Sequence, residues 1–150
     1  MNSTNTPTLA LSLTVEDTAA ALDFYTKALG MKELFRMPTP DGTVIHGECT
    51  LGNAQIYVSC GYPEWKAAAM PAEAAASCLF AINCEDPDAT YATAVAAGCE
   101  SIDEPTEQIW GYRTAIVRDP YGYRWNFRKQ IEVLTPEEIE KRVAKLFSDN

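Results

Sequence analysis

Histidine is nearly missing from this chain: His46 is its one example, and no two of the five cysteines are spaced as CxxC. A thiolate zinc site needs such pairs and a disulfide framework needs an even set, so neither scaffold is expected. Cys49, Cys60, Cys78, Cys84 and Cys99 are read instead as reduced, packed thiols. Long apolar runs are also missing. TLALSLTV and every other such stretch fall short of the ~18 residues that a membrane span requires. The opening MNSTNTPT lacks the basic and apolar regions of a signal peptide, and a cytoplasmic location is expected. Basic residues are scarce, 12 Lys and Arg against 21 Asp and Glu for a net charge of -9, and they form no run. Such a surface repels phosphate backbones, which excludes nucleic acid and anionic membranes as partners.

What is present is enough for one compact domain. A chain of 150 residues that is 47% hydrophobic buries roughly two-thirds of its unfolded surface without help from disulfides or metal. Leu9, Leu11, Leu13 and Val15 alternate with Ala10, Ser12 and Thr14, the period of a strand with one apolar face. Asp17 or Thr18 then caps a helix through AAALDFYTKALG, whose stripe is Ala21, Leu22, Tyr25, Ala28 and Leu29 and whose stop is Gly30. KELFRM, TVIHGECTL and AQIYVSC follow as strands, separated by PTPDGT and by a tight corner at Leu51-Gly52-Asn53.

GYPEWKAAAMPAEAAA, with its alanines and two prolines, reads as a linker holding one helical turn. The pattern then restarts: SCLFAINC as a strand, Asp86 and Pro87 opening a helix through DATYATAVAAG, then ESIDEP, YRTAIVRD and YRWNFRKQ as strands. TPEEIEKRVAKLFS, with a Thr cap, early acids, late bases and apolar residues at Ile139, Val143 and Leu146, reads as an amphipathic terminal helix. Asp17 and Asp86 stand 69 residues apart, and the same shift carries Tyr57 onto Asn126. Two tandem βαβββ modules, about 8–60 and 76–130, joined by a linker at 61–75 and followed by a helix at 135–148, account for that register. The fold class is α+β, with the strand faces opposite the helices forming a curved mixed sheet around one open trough.

The chain resembles the vicinal oxygen chelate superfamily, which includes glyoxalase, bleomycin-resistance and dioxygenase proteins. LDFYTKALGM is similar to the helix of its first module, and Arg118-Asp119-Pro120-Tyr121-Gly122-Tyr123-Arg124-Trp125 to a turn of its second. DGTVIHGECTLG, WGYRTAIVRDPYGYRW and TPEEIEKR resemble the PhnB-like branch. The resemblance runs from Leu9 to about Arg142 and implies a homodimer. It also implies four metal-ligand positions, one in the first and one in the last strand of each module, and these fall at Ala10, Tyr57, Leu79 and Asn126. Ala and Leu donate nothing to a metal, neutral Tyr is a poor ligand and Asn is weak without carboxylate companions. The expectation is therefore no cofactor and no glyoxalase I activity, with a divalent metal disfavoured.

Strand alternation from Tyr57 and Asn126 places Gln55, Ser59, Arg124 and Arg128 on the trough side, and Ile56, Val58, Trp125 and Phe127 beneath the helices. In the third strand it sends Ile45, Cys49 and Leu51 to the core and His46 and Glu48 together into the trough. A His and a Glu two apart on one face form an acid/base pair, half of an unconventional metal site, or a structural hydrogen bond. Trp110 and Arg113, between the sixth and seventh strands, offer stacking and a bidentate fork to a planar or carboxylate-bearing molecule; the alternative is that Trp110 closes a dimer interface and Arg113 bonds a loop carbonyl. Trp65 either lies over the opposite rim or staples the linker to the body.

Two functions are compatible with these residues. One is metal-free binding of a small molecule, as in sequestration or antibiotic resistance, with Tyr57, Trp110, Arg113, Arg124 and Asn126 as contacts. The other is a lyase or isomerase using His46 and Glu48 directly.

Overall fold

The structure, a computed structural model, describes residues 8–148; the reading of the opening MNSTNTPT as no signal peptide falls on positions 1–8, all but the last of which lie outside them. The chain divides into two compact units whose boundary falls between Pro71 and Ala72, inside the expected linker.

In the first unit, β1 (Ala10–Thr14), α1 (Thr18–Leu29), β2 (Lys32–Pro38), β3 (Val44–Leu51) and β4 (Ala54–Ser59) follow in the expected order. The sheet runs β1-β4-β3-β2, with β1 parallel to β4 and the other pairs antiparallel. The Asp17 carboxylate accepts from Ala20 N–H at 3.0 Å and so satisfies one of the orphan donors at the start of α1; Gly30, at φ +65°, ends the helix in the left-handed conformation. Leu13, Leu22, Tyr25, Cys49, Ile56 and Val58 are buried between α1 and the sheet. Gly47 is the point of closest approach, since a Cβ there would lie 2.5 Å from a methyl of Leu22.

The second unit repeats the plan with β5 (Leu79–Asn83), α2 (Pro87–Ala97), β6 (Glu100–Glu107), β7 (Tyr112–Arg118) and β8 (Arg124–Gln130), in the order β5-β8-β7-β6. Asp86 caps α2 through Ala89 N–H at 3.0 Å, matching Asp17. The pairing registers match as well: Ala10 lies opposite Gln55, and Leu79, 69 positions on, opposite Arg124. Trp125 and Phe127 fill the core beneath α2. The Trp125 indole N–H donates to the buried Asp119 carboxylate at 2.9 Å, and the other oxygen of Asp119 accepts from the N–H groups of Tyr121 and Tyr123. One carboxylate thereby ties the β7–β8 turn to the core.

Between the modules only a short 3-10 turn, Pro63–Trp65, and an isolated bridge from Tyr62 to Ala67 form. Beyond β8, α3 (Pro136–Ser148) begins at a capping box in which Thr135 N–H donates to Glu138 and Glu138 N–H to the Thr135 hydroxyl. Ile139 of α3 is half-buried while Val143 and Leu146 keep 38% and 50% of their surface exposed, and Arg142 ties the helix to the Ile109 carbonyl and to Glu132.

Candidate functional site

Register decides which side chains share a face, so the candidate residues are placed by the ladders. In the first unit β3 and β4 pair His46 with Ser59, Glu48 with Tyr57 and Thr50 with Gln55. All six lie opposite α1, because the intervening Gly47 faces Leu22. His46 and Glu48 therefore point the same way, as the alternation implies. Their Nε2 and Oε1 atoms are 3.5 Å apart, close enough for an ion pair when the imidazole is protonated but longer than a good hydrogen bond. The His46 ring lies 5.8 Å from that of Tyr57. Phe35 and Met37 add an apolar margin, opposite Glu48 and His46 across the β2–β3 ladder. Sequence alternation missed these two because a register shift between Glu33 and Phe35 reverses the phase of β2.

In the second unit Asn126 lies between Ala81 of β5 and Ile116 of β7, on the face opposite α2. Its Oδ1 is buried without a hydrogen-bond partner among the described residues. An unpaired buried acceptor costs about 1–3 kcal/mol, a penalty that a donor on an incoming molecule would relieve. Leu79 is exposed at the start of β5.

Three expected contacts are placed differently from one another. Trp110 lies in the turn between β6 and β7 with 47% of its surface exposed, as its position implies. Arg113 is the second residue of β7, out of phase with Tyr112 and Thr114, and its guanidinium reaches Asp88 of α2, not a loop carbonyl, through two bonds of 2.6 Å. That pair holds the Asp88 carboxyl below its ordinary range, chiefly through the hydrogen bonds from Arg113. Arg113 thus staples α2 to the sheet on its helix side. Arg124 stays on the expected face, but its Nε and Nη2 donate to the carbonyls of Ala76 and Ser77 at 3.1 and 3.3 Å. Arg118 holds the same segment through the carbonyls of Ala72 and Ala74.

Arg128 was named by alternation only as a residue on this face, and its surroundings were not legible. Its Nε donates to the Asn83 side-chain oxygen at 2.9 Å, and its guanidinium carbon lies 5.1 Å from the centre of the Tyr112 ring. The three line an open depression of about 620 Å³ together with Cys84, Glu85, Lys129 and Gln130. The signal for it was present, since β8 alternation runs from Asn126 to Arg128, but the β7 and β5 partners needed the ladder registers.

Two modules of this topology, with these registers, can be set beside known proteins. The family model of the Glyoxalase/Bleomycin resistance protein/Dioxygenase superfamily matches residues 8–127. The chain belongs to that superfamily. It is 29% identical over 141 residues to an uncharacterized protein of Mycobacterium bovis, covering 92% of this chain and 93% of that one. Among solved structures it is similar in fold to TioX from Micromonospora sp. ML1, with a TM-score of 0.68 at 24% identity over 83% of this chain and 99% of that one. A glyoxalase/bleomycin resistance protein/dioxygenase from Nocardioides gives a TM-score of 0.67 at 22% identity, covering 88% and 89%.

Members of this superfamily that hold a divalent ion need carboxylate or imidazole donors. The residues here do not fit one. Ala10 and Tyr57 in one sheet, and Leu79 and Asn126 in the other, supply no carboxylate or imidazole. Among the described residues no three His, Cys, Asp or Glu side chains gather elsewhere.

Proposed function

We propose that this protein binds a small planar molecule on the sheet faces opposite its helices, without a resident metal, as a sequestering or resistance protein of the PhnB-like branch. The observation that carries the reading is the donor set: Ala10, Tyr57, Leu79 and Asn126 remove the Lewis acid and leave aromatic, apolar and amide surface. Each unit offers such surface by itself: the rings of Tyr57 and Phe35 in the first, and the unpaired Asn126 oxygen with the exposed Trp110 in the second, are what a flat ligand with a few hydrogen-bonding groups would use there. A homodimer in the cytoplasm belongs to the same reading, on the resemblance set out above.

Quenching of tryptophan fluorescence by a panel of planar antibiotics tests this. At least one should quench saturably, and Trp110→Phe and Asn126→Leu should each weaken its binding by roughly tenfold. A panel that leaves the emission unmoved would end the proposal.

A second reading has its own observation. The 3.5 Å approach of His46 to Glu48 beside Tyr57 is a geometry for moving a proton to or from a bound substrate. A lyase or isomerase of this kind should lose turnover in both His46→Ala and Glu48→Gln with the circular dichroism spectrum unchanged. Turnover that survives both substitutions excludes it.

A further inference from the structure

We propose that Arg128 is the centre of a built oxyanion site in the second unit, and that the ligand of this protein is therefore a planar carboxylate. The inference rests on the small-molecule reading above and gives that molecule its charge. It also replaces Arg113, which Asp88 occupies, as the source of a bidentate fork.

The chain has six arginines, all described. Arg36 is paired with Asp23 and Glu33, Arg113 with Asp88, Arg118 with Glu100 and two carbonyls, and Arg142 with Glu132 and a carbonyl. Arg124 is bound to two carbonyls. Arg128 differs from all of these. No carboxylate among the described residues lies within ion-pair distance of it, in a protein where acids outnumber bases 21 to 12. A guanidinium left unneutralised under those conditions is open to an external anion.

It is also fixed in place. Asn83 of β5 holds Nε and Tyr112 of β7 lies under the guanidinium plane, so the two neighbouring strands orient a side chain projecting from β8. With Nε engaged, the edge formed by Nη1 and Nη2 remains, and its two parallel N–H groups match the two oxygens of a carboxylate. The Tyr112 ring beside it offers a stacking surface for the flat body that carries the carboxylate. The depression of about 620 Å³ has room for a small aromatic acid. Glu85 also lines it, but that side chain is wholly exposed and reaches toward Lys129 at 3.7 Å, so water screens its charge. The fold itself does not require this cluster. At the equivalent positions 69 residues earlier stand Ser59, Thr14 and Thr43, which carry no charge.

The test uses the full chain, 15N-labelled, titrated with benzoate and with its neutral isostere benzamide. Benzoate should shift the Arg128 Nε–H resonance and the amides of Asn83, Tyr112 and Gln130 saturably, and benzamide should bind at least tenfold more weakly. Arg128→Gln should abolish the benzoate response while Arg113→Gln preserves it. Asn83→Ala, which frees the guanidinium without removing its charge, should weaken benzoate several-fold and serves if Arg128→Gln does not fold. Equal binding of benzoate and benzamide, a benzoate response that survives Arg128→Gln, or no shift at these residues would overturn the inference. If planar neutral compounds still quench tryptophan emission in the Arg128→Gln protein while benzoate binds indifferently to both, the oxyanion site falls and the small-molecule reading stands.

Discussion

Asp88 and Arg113 show how a single residue's phase within a strand decides its work. The Asp88 carboxyl titrates below its ordinary value, so the stability it contributes is complete above that value and is lost as pH falls through the lowered one. Arg113→Gln should return the Asp88 titration upward toward 3.8, followed by 13C NMR of the side-chain carboxyl, and should flatten the stability profile in that acidic window. Cys99 moves the other way. Burial, with the negative charge of Asp119 nearby, pushes its thiol up to about 12, whereas Cys78 is exposed. Iodoacetamide at pH 8 followed by peptide mass mapping should therefore label Cys78 and leave Cys99 unmodified in the folded chain. The faces of His46, Glu48, Tyr57 and Asn126 were readable from period two alone, since each lies well inside a strand. Arg113 was not, because alternation is drawn through the strands of His46, Tyr57 and Asn126 but not through YRTAIVRD, whose first residues are also read as part of an overhanging loop with Trp110. Alternation from Tyr112 puts Arg113 on the helix side of β7, where it pairs with Asp88 of α2.

At the scale of elements, helix beginnings and ends were the most legible part, because they depend on local chemistry: Asp17 and Asp86 as caps, Gly30 and Gly98 as left-handed stops, the Thr135 box before α3. How closely elements approach was not written locally. Gly47 looks like an ordinary break between His46 and Glu48, yet it is what lets Leu22 of α1 settle against β3. Gly47→Ala should cost about 1–3 kcal/mol as overpacking, seen as a lower midpoint in thermal or urea unfolding. A midpoint equal to that of the parent chain would show that α1 lifts away without cost. For α3 the helix forms with the expected apolar spacing, yet Phe147 is 79% exposed and Leu146 50%. Periodicity reports which side of a helix is apolar and says nothing about what covers it.

Across the whole molecule, the duplication was visible because capping aspartates, stop glycines and terminal strands recur at one spacing, and both sheets adopt the registers that spacing requires. The chemistry of the faces was less visible, since it depends on neighbours contributed by strands far apart in sequence. The donor set predicts a clear negative result. Zinc, nickel, manganese or ferrous ion at several equivalents should leave the unfolding temperature unchanged, and overnight chelation should leave it unchanged too; a rise of several degrees with any one of them would mean that a competent set of ligands exists. The equal registers of the two halves have one more consequence. Separate identical chains would have to accept every substitution twice, once in each copy. Covalent fusion removes that symmetry, so positions 124, 126 and 128 have become Arg, Asn and Arg while their counterparts 55, 57 and 59 are Gln, Tyr and Ser. One half is thereby at liberty to specialise in recognising anions, and the other keeps an aromatic lining that holds the chain's single imidazole beside Glu48.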